Sequence, residues 1–289
     1  MTRIFLTAAQ IAEFQERILE YYRRHGRDFP WRHTTDPYEI LVSEVMLQQT
    51  QTDRVASKYG PWLRAFPTVG HLAGASLAEA LGHWNGLGYN RRARFLREAC
   101  RIIVTQMAGV FPRKAEELDA LPGIGAYTAR AVCSFAFNRP EVFIETNIRA
   151  AFLHCFFGER LASPETPVHD REILPLVEAT LFRESPRLWY YALMDYGAAV
   201  KKARPNPNRA SIHYVRQSPF AGSLREARGA IIRRLSTGGI NQNGVDGITL
   251  GDIAEAEGMD YGRMEQAAAA LVAEGMVTGE GDLYRIGDQ

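Results

Sequence analysis

The stretch from Leu118 to Ala131 reads Leu-Asp-Ala-Leu-Pro-Gly-Ile-Gly-Ala-Tyr-Thr-Ala-Arg-Ala, and it dictates a backbone before it suggests any chemistry. Pro122 and Gly123 end a helix near Leu121, and a new helix starts at once beyond Gly125. Leu121 and Ile124 are placed to seat this hairpin in an apolar core. Gly123 and Gly125 carry no Cβ, so an anion can approach the main chain closely. The unpaired N–H groups and the dipole at the new helix's start favour that anion being a phosphate. An ordinary helix-to-helix turn also uses Pro-Gly. The phosphate reading rests on both glycines standing beside the right apolar positions.

The pattern on either side is helical. Residues 7–24 open with a Thr cap and put Ile11, Phe14, Ile18 and Tyr21 on one stripe. Residues 38–58 read as a second long helix, Phe66–Val69 as a turn, and 76–82, 90–107 and 114–120 as further helices. Strand-like alternation is nearly absent before residue 200, so the expectation is an all-α domain over residues 1–202. Residues 203–223 contain three prolines and read as a basic linker or ordered loop. Beyond it lie a basic helix at 224–235, a helix opening at Ile248-Thr249-Leu250, a third at 260–274, and two short strand-like runs around a Gly turn. That order predicts a small winged-helix-like α+β domain over residues 224–289.

Charge is segregated along the chain. The net value is only +1, yet residues 191–234 carry nine Lys/Arg against Asp195 and Glu226, a net +7. Residues 235–289 carry ten Asp/Glu against Arg263 and Arg285, a net −8. The basic band is what can neutralise phosphates, and an acidic tail repels them. No apolar run approaches the roughly 20 residues of a membrane span, and the apolar start is too short for a signal peptide. A cytoplasmic location without membrane contact is expected, associated with the chromosome if the chain binds DNA. Cys100, Cys133 and Cys155 lie far apart without metal-ligand spacing, and read as buried free thiols. No metal and no cofactor are expected.

At this point the sequence resembles a known family. Leu121–Val132 is similar to the helix-hairpin-helix of endonuclease III and of MutY-like adenine glycosylases. Leu41-Val-Ser-Glu44-Val-Met-Leu-Gln48-Gln49-Thr-Gln51-Thr matches the MutY segment SEVMLQQTQ almost letter for letter. Pro30-Trp31-Arg32, Phe66-Pro67-Thr68-Val69 and Gly86-Leu-Gly-Tyr89-Asn90-Arg-Arg-Ala93-Arg94 follow in the family's order, and the resemblance covers roughly residues 7–200. It implies the two-lobed all-α fold of the HhH-GPD DNA glycosylases and base excision from double-stranded DNA by a monomer.

Residue by residue, the resemblance makes Glu44 the catalytic acid. Adenine leaves its sugar far more easily once a ring nitrogen is protonated, and a buried carboxyl can hold its proton near neutral pH. The apolar neighbours Val42, Val45, Met46 and Leu47 argue for that burial. Glu145 stands where the family has an Asp that stabilises the cationic sugar, with Asn147 helping to cap the next helix. The extra methylene displaces the charge by about 1 Å. A tolerated substitution, a reshaped pocket and an inactive site remain open. Tyr127 occupies the place of the lysine nucleophile of strand-cutting relatives, and a phenol forms no Schiff base. Water is then the nucleophile and β-lyase chemistry is not expected.

Gln48 and Gln49 sit where the superfamily fills the hole left by the flipped base. Tyr89 and Asn90 belong to the base pocket. Leu121, Gly123, Ile124, Gly125, Thr128 and Asn147 are the expected DNA contacts of the hairpin region, with Arg91, Lys201, Lys202 and Arg209 on phosphates. Arg92, Arg94 and Arg97 either reach phosphates or solvate their helix; Arg204, His213, Arg216, Arg225 and Arg228 extend the basic band. Adenine opposite guanine or 8-oxoguanine is the first expectation for the substrate. Tyr127 and Asn90 match thymine/uracil mismatch glycosylases instead, which keeps thymine or uracil opposite guanine open. A catalytically dead DNA-binding or regulatory protein is the reading from another class.

Two family features are missing. Leu193-Met194-Asp195-Tyr196-Gly197-Ala198 is present, but the four cysteines that bind a [4Fe–4S] cluster after it are not. The basic loop is expected to take over the cluster's packing and its positive surface. A domain like the one by which MutY senses 8-oxoguanine is not expected from residues 235–289, which are too few and too differently patterned.

Overall fold

Thr7 starts the first helix by accepting from the Gln10 amide, while the Gln10 side chain reaches back to the Thr7 N–H, a reciprocal cap. In this computed structural model the described residues are 4–162, 166–203, 205–216, 219–237 and 247–287. Arg204 therefore lies outside them. In chain order the helices are α1 (Ala8–His25), α2 (Pro37–Leu47), α3 (Thr52–Ala65), α4 (Val69–Gly74), α5 (Leu77–Trp84), α6 (Arg91–Gln106), α7 (Ala115–Asp119) and α8 (Ala126–Phe137). There follow α9 (Thr146–Phe156), α10 (Gly158–Ala162), α11 (Asp170–Thr180), α12 (Pro186–Ala203), α13 (Leu224–Ser236), α14 (Leu250–Glu257) and α15 (Tyr261–Ala273). The strands are β1 (Ile248–Thr249), β2 (Val277–Glu280) and β3 (Leu283–Ile286). None of the described helices is long and apolar enough to cross a membrane.

The chain forms two units. The first comprises residues 1–40, 113–119 and 124–216; the second comprises 41–112, 120–123 and 217–289. The core of the first is aromatic. Phe14 meets Phe152 at 5.3 Å and Trp189 edge-on at 5.8 Å, and Phe143 stacks on Tyr190 at 3.9 Å between ring centres. Rings of this size bury the most apolar area per residue, and edge contacts add to that. The core of the second unit is built on Trp62 and Trp84, 5.2 Å apart and nearly perpendicular.

Residues 224–287 of the second unit carry the expected winged-helix order, with one addition. The antiparallel sheet has three strands, ordered β1-β3-β2, because Ile248 and Thr249 pair with Tyr284 and Leu283 before Thr249 caps α14. Gly281, at φ +60°, turns β2 into β3. The all-α reading with a small C-terminal α+β part stands.

Two boundaries differ from those read in the sequence. The helix expected over 38–58 is two helices, α2 and α3, separated at residues 48–51, where Gln49 adopts φ +56°. Apolar periodicity continues across the break and hides it. The helix before the glycine hairpin ends at Asp119, not Leu121.

Candidate active site

Helix α2 is unusual in being buried all round. Ile40 through Met46 are each at most 5% exposed, and Glu44 is the one charged residue among them. The expected burial of Glu44 is thus observed.

The break after α2 is held by Arg92 of α6. Its guanidinium donates to the carbonyls of Val45 (2.8 Å), Met46 (2.9 Å) and Gln48 (2.6 Å), which are among the last carbonyls of a helix and its exit. The other end of the fork donates to Gly88 O (2.9 Å), Leu87 O (3.2 Å) and the Thr50 hydroxyl (3.1 Å). Burial pushes this guanidinium down to about 10. Arg92 is consequently an internal strut, not the phosphate contact or solvated residue considered from sequence. Arg97 likewise donates to Ala75 O at 2.6 Å, and Arg94 donates to Glu274 O. The strut fixes two adjoining turns. Gln49, exposed, lies on one; Tyr89, at φ +48°, lies on the other, and Asn90 precedes α6 without a side-chain capping bond. Two non-glycine residues held in the left-handed region on neighbouring turns mark a constrained surface.

In the first unit Glu145 is the N-cap of α9. Its Oε1 accepts from the Asn147 and Ile148 amides at 2.7 and 2.8 Å. Its Oε2 accepts from the Thr146 hydroxyl (3.0 Å) and the Asn147 side-chain amide (3.2 Å). The cap expected from Asn147 is therefore made by Glu145. A carboxylate at a helix N-terminus is stabilised as an anion by the free N–H groups and the dipole. Asn147 Oδ1 accepts in turn from Lys201 Nζ at 2.8 Å. Burial holds the Lys201 ammonium below its usual value, with Glu145 opposing and Arg27 reinforcing the shift. Lys201 is thus tied to the α9 cap, whereas Lys202 and Arg209 are exposed.

Two residues of the Leu-Met-Asp-Tyr-Gly-Ala stretch explain themselves in this unit. A Cβ on Gly197 would lie 1.9 Å from Asn147 O, so only glycine lets α12 pass the α9 cap. Asp195, fully buried in its side chain, accepts from both nitrogens of the Arg32 fork at 2.7 and 2.8 Å and from Arg27. Burial opposes its charge, but Arg32 and Arg27 outweigh that and hold the carboxyl below its usual range. This anchor, the reason for Arg32 in Pro-Trp-Arg, was not visible as a pair in the sequence.

Each hairpin residue can be placed by itself. Leu121 and Ile124 are buried as expected, at 4% each. Gly123 has φ +71°, and a Cβ there would strike Phe95 Cβ at 2.5 Å. Gly125 is the N-cap of α8 without any side chain, leaving main-chain N–H groups uncovered by it. Tyr127 packs edge-on against Phe143 at 5.6 Å. Thr128 is only 2% exposed, as buried as Leu121 and Ile124, so its side chain packs inside the hairpin.

The basic band is also smaller than the count of charges suggests. Glu274 accepts from both ends of the Arg228 fork at 2.9 and 2.5 Å and lies 3.7 Å from Arg91. Glu257 pairs with Arg233 and Arg234. His213 lies 3.8 Å from Asp170. Acidic residues of the tail thereby neutralise much of α13 within the second unit.

A [4Fe–4S] cluster, which the resemblance would imply, does not fit the residues present. It needs four thiolates; the chain has three cysteines and none after Cys155. Burial pushes the Cys100 thiol up to about 12 and, with help from Glu141, the Cys133 thiol up to about 11. Where the chain leaves α12, Asn208 is buried and donates to Thr146 O at 2.8 Å, a second polar tie to the start of α9.

Comparison with known proteins gives one reading. Residues 42–191 match the model of the HhH-GPD superfamily base excision DNA repair proteins. The adenine DNA glycosylase of Mycobacterium tuberculosis (strain CDC 1551 / Oshkosh) is 32% identical over 279 residues, covering 90% of this chain and 89% of that one. The human adenine DNA glycosylase is 35% identical over 206 residues, covering 68% of this chain and 37% of its own length. Among solved structures, a thermostable thymine-DNA glycosylase superposes with a TM-score of 0.61 at 26% identity, covering 68% of this chain and 90% of that one. With a family match over more than half its length and relatives above 30% identity, this chain belongs to the HhH-GPD superfamily of base excision DNA repair proteins, and within it to the adenine DNA glycosylases.

Proposed function

We propose that the protein removes adenine from mispaired double-stranded DNA as a monofunctional, cluster-free glycosylase. The buried Glu44 carries this reading, because a proton donor shielded from water is what the departing adenine requires. Glu145, anchored by the backbone amides at the start of α9, stabilises the sugar cation; the Glu absorbs its extra methylene in the cap, which favours a tolerated substitution. Tyr127 offers no amine, so water is the nucleophile and strand cleavage does not accompany excision. Lys201 and Asn208 supply the packing at α9 that a cluster would otherwise support. The hairpin main chain, Lys202 and Arg209 hold phosphates of chromosomal DNA, and the protein acts as a monomer. Residues 224–289 form a domain that follows the glycosylase part, joined by residues 203–223.

Tyr127 and Asn90 favour a second reading, excision of thymine or uracil opposite guanine. One assay separates the two. Duplexes with single A·G, A·8-oxoG, T·G and U·G pairs are incubated with the protein and then treated with alkali. Alkali-dependent breaks at adenine are expected. Breaks at thymine or uracil alone would give the second reading, breaks before alkali would refute the monofunctional one, and binding without breaks would point to a regulatory protein.

A further inference from the structure

Between α8 and α9 the chain runs through residues 138–145 without helix or strand of its own. Such a connection holds its shape only through what its carbonyls and side chains touch. Glu141 O accepts from the Tyr190 hydroxyl at 2.5 Å, and Val142 O accepts from Arg130 at 3.4 Å. Burial raises the Tyr190 phenol well above its ordinary value, so this donor keeps its proton. Phe143, at 2% exposure, is the one buried residue of the connection. Its ring stacks on Tyr190 of α12, with centres 3.9 Å apart and planes 25° from parallel. Tyr127, on the first turn of α8, meets it at 5.6 Å, and Phe135, at the far end of α8, at 6.2 Å, both close to perpendicular. Stacked and edge-on pairs fix a ring's tilt as well as burying it.

We infer that Phe143 is a positioning residue that couples Tyr127 to Glu145, clamping the connection against α8 and α12 so that the carboxylate is aimed. Two residues beyond Phe143, Glu145 leaves the connection and caps α9. The ring is thus the joint between the hairpin side chain and the second carboxylate. Buried as it is, Phe143 reaches the reaction only through these neighbours. A carboxylate stabilises a cationic sugar best from one place and direction, and small errors in an oriented site are costly. A glutamate carries one more rotatable bond than an aspartate, so the backbone beneath Glu145 must be held firmly for its aim to survive. An aliphatic side chain at 143 would fill the space without fixing the tilt that Tyr190 and Tyr127 impose.

The inference rests on the proposed role of Glu145, but one of its two readouts needs no excision. Single-turnover rates are measured on whichever of the A·G, A·8-oxoG, T·G and U·G duplexes the wild type cleaves. Phe143→Leu is expected to lose about tenfold or more in rate, yet to bind a duplex with a tetrahydrofuran abasic analogue within about twofold of the wild type. In a Glu145→Gln background the same substitution should cost less than about twofold further, since the group it positions is gone. Amide exchange is the second readout. The Asn147 and Ile148 amides, which donate to Glu145, should exchange about fivefold or more faster in Phe143→Leu, with Ala151 and Leu153 deeper in α9 unchanged. Thermal melts check folding, and Phe143→Met, which fills the space without a ring, decides the matter should Phe143→Leu not fold. A wild-type rate in folded Phe143→Leu, the full loss repeated in the Glu145→Gln background, a loss confined to affinity, or exchange rising evenly along α9 would each overturn the inference. A wild type inactive on all four duplexes would refute the proposed function, and exchange at Asn147 and Ile148 would then decide alone whether Phe143 sets the carboxylate.

Discussion

Arg92 donates to the main-chain carbonyl of Gln48 at 2.6 Å, and the same guanidinium reaches Gly88 O at 2.9 Å. One half-buried charge therefore sets the spacing of the turn carrying Gln48 and Gln49 and the turn carrying Tyr89. Removing it leaves several carbonyls facing an empty space. Arg92→Met is expected to cost on the order of 3 kcal/mol, because each orphaned buried acceptor costs about 1–3 kcal/mol. Urea unfolding gives the number, and DNA binding should fall with it. A variant as stable as the wild type would show that the turns hold themselves.

Asp195 makes a pH-dependent prediction. Its carboxyl is held below the usual range in the folded chain, so its stabilising effect is present above the unfolded value of about 4 and is lost as pH falls through the depressed one. Asp195→Asn leaves Arg32 and Arg27 without their anion, and should cost about 3–5 kcal/mol at pH 7. Denaturant midpoints at pH 7 and pH 3 are the measurement. The gap between wild type and variant should narrow at pH 3; a constant gap would place the effect in packing.

Lys201 donates to Asn147, which donates to Glu145, and under the proposed function this makes Lys201 a positioning residue for that carboxylate. Lys201→Met should lower the single-turnover excision rate by about tenfold or more, since small displacements in an oriented site are costly. DNA affinity should change little, and Lys201→Arg should restore part of the rate. A loss confined to affinity would instead make Lys201 a phosphate contact.

Glu274 neutralises Arg228 and lies beside Arg91. Glu274→Gln should release positive surface, tighten binding to duplex DNA and steepen the salt dependence of log Kd by about 1–2. Binding titrations from low to high salt check the slope. An unchanged slope would mean that neither arginine approaches a phosphate.

The sequence was most informative where structure is local. The glycines at 123 and 125, the buried run around Glu44, and the helices with their caps could be read from neighbours in the chain. Long-range pairs could not. Nothing near Arg92 announces that it meets carbonyls more than forty residues earlier, nor does Asp195 announce Arg32. Helical periodicity ran through the break at Gln49 because a short turn does not disturb the apolar stripe. Net charge misled in the same way, since Glu257 and Glu274 cancel arginines that are distant in sequence but adjacent in the fold. Glu145 looked displaced by its length, yet the backbone amides of α9 determine where its carboxylate sits.

The central claim is that a buried carboxyl at Glu44 drives adenine release. Single-turnover kinetics on an A·G duplex, followed by alkali, compare the wild type with Glu44→Gln, which keeps the shape and removes the acid. The wild type should generate alkali-labile sites at the adenine, and Glu44→Gln should bind the duplex normally while losing about 100-fold or more in rate, the scale of general acid catalysis. A Glu44→Gln variant that excised adenine at the wild-type rate would contradict the account.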